Sequence, residues 1–135
     1  MSERTMPEIG SVGWIDLTVP DAERIRDFCT SVVGWRTSLV TMGKHRDFTM
    51  ITPVSGTASA GVCQARGNNA DLPAQWLIYI TVGGLDTSVS RCNAGGGRVI
   101  VAPRGMGKHG RYWVIRDTAG AVAALFEPAR PLETT

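Results

Sequence analysis

From Val12 to Val19 the chain reads as a strand, and Pro20-Asp21 then opens a different pattern. Ala22, Ile25, Phe28, Cys29 and Val32 recur at helical spacing, which predicts a helix with one apolar face. Asp21 is placed to cap its free N–H groups and Gly34 to end it. Strands follow over 35–40, 48–52 and 58–64, with turns at 42–45 and 53–57 between them. A polar stretch from Ala65 to Pro73 interrupts, and the same order then returns. Trp76 to Val82 reads as a strand, and Leu85, Val89 and Cys92 mark a short helix stopped by Gly95-Gly96-Gly97. Strands follow over 98–102, 110–116 and 121–127, the last two joined by a turn at Asp117-Thr118-Ala119-Gly120. Pro128 and Pro131 break the final strand, and residues 1–10 are expected to lie outside the ordered elements.

The two halves share residues as well as order. Met42-Gly43-Lys44-His45, with Phe48, Met50 and Ile51 after it, returns 64 positions later as Met106-Gly107-Lys108-His109, with Tyr112, Val114 and Ile115. Leu17-Thr18-Val19, Cys29 and Gly34 are echoed 63 positions on by Ile80-Thr81-Val82, Cys92 and Gly97. Two copies of a unit this long indicate a duplicated module rather than a solenoid, which needs about three or more repeats. The expected organisation is one domain over 1–135, with module one at about 10–65, a linker at 66–74 and module two at about 75–128.

Composition narrows the picture little. The chain has 135 residues, enough to bury roughly two-thirds of its unfolded surface. The net charge is +2 and no basic run is present, so neither nucleic acid nor a membrane surface is an expected partner. No stretch approaches the ~18 apolar residues of a membrane span, and Met1 to Pro7 lacks the apolar core of a signal peptide. Cys29, Cys63 and Cys92 are odd in number and lack metal-type spacing. They read as reduced thiols in a cytoplasmic protein.

Two stretches carry a family resemblance. One is Trp14-Ile15-Asp16-Leu17-Thr18-Val19-Pro20-Asp21, with Phe28 and Gly34-Trp35 downstream. The other runs from Gly110-Arg111-Tyr112-Trp113 through Arg116-Asp117-Thr118-Ala119-Gly120 to Leu125-Phe126-Glu127-Pro128. Across residues 12–128 the chain resembles the vicinal oxygen chelate superfamily, which includes glyoxalases, extradiol dioxygenases and bleomycin resistance proteins. The resemblance implies an α+β fold: two tandem βαβββ modules forming a cup-shaped, partly open β-barrel, with homodimers common. Metal-dependent members place His, Gln or Glu on four inward-facing strand positions. Carried over, those positions fall on Trp14, on Ala60 or its neighbour Gly61, on Leu77 and on Ala124. None of these side chains can hold a metal, so no metal and no cofactor is expected.

Alternation along the strands then predicts what lines the cup. Trp14, Asp16 and Thr18 would share the inner face with Asp47, Thr49 and Ile51, opposite Ala58, Ala60 and Val62. In module two, Leu77, Tyr79 and Thr81 would join Arg111, Trp113 and Ile115, opposite Val122, Ala124 and Phe126. The ligand-binding candidates are Trp14, Asp47, Tyr79, Arg111, Trp113 and Phe126, suited to a hydrophobic, aromatic metabolite or antibiotic. Trp14 and Trp113 could equally fill the core. Asp16 could pair with Arg111, serve as general acid or base, or accept a ligand hydrogen bond. Arg111 could hold a ligand anion instead. His45 and His109 read as surface-turn residues. Two functions stay open: a metal-independent small-molecule binder, or a metal-independent isomerase, cyclase or lyase using Asp16 with Arg111.

Overall fold

The computed structural model describes residues 7–43, 45–105 and 110–129. Eight strands and two helices follow in the order βαβββ-βαβββ. Module one comprises β1 (Val12–Val19), α1 (Ala22–Val33), β2 (Arg36–Met42), β3 (His45–Ile51) and β4 (Ala58–Gln64). Module two comprises β5 (Trp76–Thr81), α2 (Leu85–Ala94), β6 (Arg98–Gly105), β7 (Gly110–Arg116) and β8 (Val122–Pro128). The linker holds a single 3₁₀ turn, Gly67–Asn69. The second Met-Gly-Lys-His segment, with His109, lies outside the described residues. His45 is not a turn residue but the first of β3.

The chain divides into two compact units, one spanning Trp14–Leu77 and the other joining the segment that ends at Gly13 to the residues from Ile78 onward. The early segment belongs there through its backbone. The Gly10 N–H donates to the Thr81 carbonyl (2.8 Å) and the Thr81 N–H to the Ser11 carbonyl (2.9 Å). Residues 7–10 therefore do more than the sequence suggests.

In module one the strand order is β2-β3-β4-β1, with β1 parallel to β4 and the other pairs antiparallel. Module two repeats this as β6-β7-β8-β5, with β5 parallel to β8. The eight strands form an open sheet rather than a closed barrel, and each module carries its helix on one face. Under α1 lie Leu17, Val19, Phe48, Met50, Ala60 and Val62, packed with Ala22 and Cys29 of the helix. Under α2 lie Leu125, Ile80, Val99, Trp113 and Ile115, packed with Leu85 and Val89. These apolar faces explain why helices with only a few buried residues are held.

The helix starts show the duplication most clearly. Asp21 caps α1 through a hydrogen bond from the Arg24 N–H (3.2 Å). The first helical N–H, of Ala22, donates to the Gln64 side-chain oxygen at the end of β4 (3.2 Å). In module two the first helical N–H, of Leu85, donates to Glu127 at the end of β8 (2.7 Å). Both donor and acceptor are displaced by 63 positions between modules. A side chain from the last strand thus satisfies an orphan donor of the helix in each copy. The Glu127 carboxylate also meets the positive end of the α2 dipole. Gly34 closes α1 in the left-handed region (φ 87°), where its N–H donates to the Thr30 carbonyl.

Candidate functional site

The strand registers decide which side chains share a face. In module one Asp16 pairs with Gly61 and Thr18 with Cys63, while Thr49 pairs with Gly61 across β3 and β4. Trp14, Asp16, Thr18, Asp47, Thr49, Gly61 and Cys63 therefore point away from α1. Ala60 and Val62, expected opposite them, lie under α1 instead. The cause is the register: Phe48 pairs with Val62 and Met50 with Ala60, so Gly61 is the β4 residue that shares the face with Asp16.

The centre of this face is compact. Asp16 is buried at 8% exposure, and Thr18 is buried beside it along β1. A Cβ built on Gly61 would stand 3.1 Å from the Asp16 Cβ and 3.4 Å from the Trp14 Nε1. The Trp14 indole thus lies across the bare backbone of Gly61, against Asp16. The Cys63 Sγ is 4.0 Å from the Asp16 Oδ2. Burial pushes the Cys63 thiol up, and the charges of Asp16 and Asp47 add to this, so it stays protonated and weakly nucleophilic. Asp47 accepts the Gln64 backbone N–H (2.9 Å), and the His45 Nε2 is 3.7 Å from the same oxygen. Asp47 is therefore held by the end of β4 as well as facing outward from the helix.

Module two departs from expectation by one residue. Arg116 pairs with Val122 rather than Ala121, so Trp113 stands opposite Leu125 and Val114 opposite Ala124. This turns β7 over relative to the predicted lining. Trp113 and Ile115 pack under α2 with Leu85, Val89 and Leu125. Arg111 shares that side, and its guanidinium meets Glu127 (3.4 Å) and Asp86 (3.3 Å). Its pKa is raised, first by the hydrogen bond to Glu127 and then by that to Asp86. Trp113 and Arg111 are thus structural residues of the helix-covered face, and Arg111 has carboxylates of its own module as partners.

The opposite face of module two carries Tyr79, Thr81, Tyr112, Val114, Ala124 and Phe126. Tyr79 pairs with Ala124, Thr81 with Phe126 and Tyr112 with Phe126. The Tyr79 and Tyr112 rings are 5.4 Å apart at 58°. Tyr79 and Phe126 keep their predicted face, and Tyr112 takes the place expected of Trp113. Strands β1 and β4 repeat in β5 and β8 at 63 positions, but β3 repeats in β7 at 65, since Phe48 faces Val62 and Trp113 faces Leu125. The sequence echo at 64 positions lies between these two offsets, so it relates a β3 residue to one on the opposite face of β7.

A family model described as the Glyoxalase/Bleomycin resistance protein/Dioxygenase superfamily matches residues 11–125. The chain belongs to this superfamily. Among curated relatives, it is 29% identical to the Mycobacterium tuberculosis protein named "Putative glyoxylase CFP32", over 100% of this chain and 52% of that protein. It is also 29% identical to the anthracycline biosynthesis protein DnrV of Streptomyces peucetius, over 87% of this chain and 46% of that one. The chain spans about half the length of these curated relatives. In fold it is similar to methylmalonyl-CoA epimerase from Mycobacterium tuberculosis, with a TM-score of 0.56 and 17% identity over 90% of this chain and 89% of that one.

The resemblance places the four strand positions at which metal-using members carry donors on Trp14, on Ala60 or Gly61, on Leu77 and on Ala124. The residues do not fit a metal: an indole, a bare backbone, an isobutyl group and a methyl group carry no ligating atom. Among the described residues no group of three or more His, Cys, Asp or Glu side chains comes together to hold one. No helix among them is long and apolar enough to cross a membrane.

Proposed function

We propose that this protein is a metal-independent small-molecule-binding member of its superfamily. The ligand it holds is a hydrophobic, aromatic metabolite or antibiotic. The observation that carries the reading is the Trp14 indole laid across Gly61 beside the buried Asp16 carboxylate. An indole face gives a stacking platform, and a carboxylate at its edge gives one directional acceptor for a ligand N–H or O–H. The aromatic face formed by Tyr79, Tyr112 and Phe126 in module two supports the same ligand class. A relative named for anthracycline biosynthesis agrees with a flat polycyclic ligand.

The reading includes a homodimer, as is common in the superfamily to which the chain belongs. Light scattering behind size exclusion measures that directly. The enzymatic alternative, an isomerase, cyclase or lyase, keeps Asp16 as general acid or base but loses Arg111 as anion stabiliser. Its support is the buried carboxylate with a protonated thiol 4.0 Å away.

The test is tryptophan fluorescence, titrated with Zn²⁺, Ni²⁺, Fe²⁺ and Mn²⁺ and then with a panel of aromatic compounds. Saturable quenching by one aromatic class, lost in Trp14→Phe, supports the site. Tight, stoichiometric metal binding refutes it. For a compound that binds, Asp16→Asn separates the two readings. Loss of affinity marks a binder, and loss of turnover with affinity kept marks an enzyme.

A further inference from the structure

Two arginines stand opposite each other in module two. Arg98 on β6 pairs in register with Arg116 on β7. By the β7–β8 register Arg116 lies on the same side as Val114, Ala124 and Val122, away from α2. Directly opposed side chains of a sheet have Cβ atoms about 5 Å apart, and like charges so placed repel. Among the described residues neither guanidinium has a carboxylate within ion-pair distance, the arginine pairs being those of Arg26, Arg46 and Arg111. The adjacent Asp117 is engaged elsewhere, its Oδ1 accepting the N–H groups of Ala119 (2.8 Å) and Ala121 (2.9 Å). Arg116 is half-buried, and its Nε is shielded from solvent with no hydrogen-bond acceptor. A donor in that state costs free energy unless something accepts from it.

The geometry points to an oxyanion-binding subsite made by Arg98 and Arg116, which takes the phosphate of a phosphorylated small molecule. One guanidinium fork suffices for the two oxygens of a carboxylate, whereas two forks match the three terminal oxygens of a phosphate monoester. Arg116, half-buried with its Nε shielded from solvent, supplies the less mobile fork. The exposed Arg98 closes on the anion from the edge strand. A dianion lying between them relieves their mutual repulsion. The inference does not depend on the aromatic site of module one.

The probe is inorganic phosphate, titrated into the protein while the arginine Nε–H signals are followed by NMR. The expected result is a saturable shift of the Arg116 Nε–H at millimolar phosphate. In Arg98→Gln, an exposed position that should not perturb folding, the affinity should fall roughly tenfold or more. Arg116→Lys keeps the charge but removes the planar fork and should abolish the saturable shift at the Arg98 Nε–H. A shift that does not saturate, or one reproduced by chloride, overturns the subsite. Equal affinity for acetate overturns its assignment to phosphate. An Arg98→Gln protein that binds phosphate unchanged overturns the pairing on which the inference rests.

Discussion

Gly61→Ala tests the centre of the module-one face, because the structure predicts both the sign and the size of its effect. The new methyl would meet the Asp16 Cβ at 3.1 Å and the Trp14 ring at 3.4–3.5 Å. The Asp16 Cβ is fixed to β1 and can yield only if the strand moves, whereas the indole can swing aside. Overpacking of this kind costs about 1–3 kcal/mol, and replacing Gly by Ala returns about 0.4–1 kcal/mol by restricting the unfolded chain. The expected net is a loss of ~1 kcal/mol, which for a domain of this size lowers Tm by about 4 °C. Thermal unfolding gives the stability, and tryptophan emission reports the displaced indole. Gly13→Ala is the internal control, since its Cβ would meet nothing nearer than the Thr81 Oγ1 at 3.8 Å. An equal or raised Tm in Gly61→Ala, with an unchanged emission maximum, would refute the packing of Trp14 over Gly61 and with it the proposed stacking platform.

Three further outcomes are expected. Glu127→Ala removes the acceptor of the Leu85 N–H at the start of α2 and should cost about 1–2 kcal/mol in urea unfolding; Glu127→Gln, which keeps an oxygen there, should cost less. Gly110 has a φ of 129°, and a Cβ on it would stand 2.2 Å from the Glu127 carbonyl oxygen, so Gly110→Ala should lose ~3 kcal/mol or more, seen as failure to give a cooperative melt. The Cys63 thiol is pushed up in the folded protein, so its contribution is full below the unfolded thiol pKa of about 8.5 and declines as pH rises above that value. Stability should therefore fall above about pH 8.5 less steeply in Cys63→Ala than in the parent, and native Cys63 should react with iodoacetamide far more slowly than the unfolded chain.

The elements were legible because each is a local matter. The α1 helix, the Asp21 cap and the Gly34 stop are written within one turn of the residues they act on, and the structure has them; Ala22, Ile25 and Cys29 face the core as expected, whereas Phe28 and Val32 of the expected apolar face are exposed. The duplication was legible because both copies solve the same packing problem. Its best marker, Gln64 and Glu127 each capping its own helix, passed unnoticed because an amide and a carboxylate do not look alike in sequence. Trp14, Asp16 and Tyr79 could be assigned to the face away from the helices by alternation along their strands, whereas Asp47 reached it through the 64-position echo, whose one-residue error offset that in β7.

What sequence could not decide was register. Side chains alternate with period two, so one residue of slip between β7 and β8 carried Arg111 and Trp113 to the helix side and brought Tyr112 to the other. No local preference distinguishes Arg116 opposite Ala121 from Arg116 opposite Val122; burial of Trp113 and Ile115 against Leu85 and Val89 does. The same holds for Gly61, which is anonymous as a residue and becomes meaningful only with Trp14 and Asp16 against it. The chain encodes its strands and helices residue by residue, but which side chains share a face follows from the apolar area that pairing the strands removes from water.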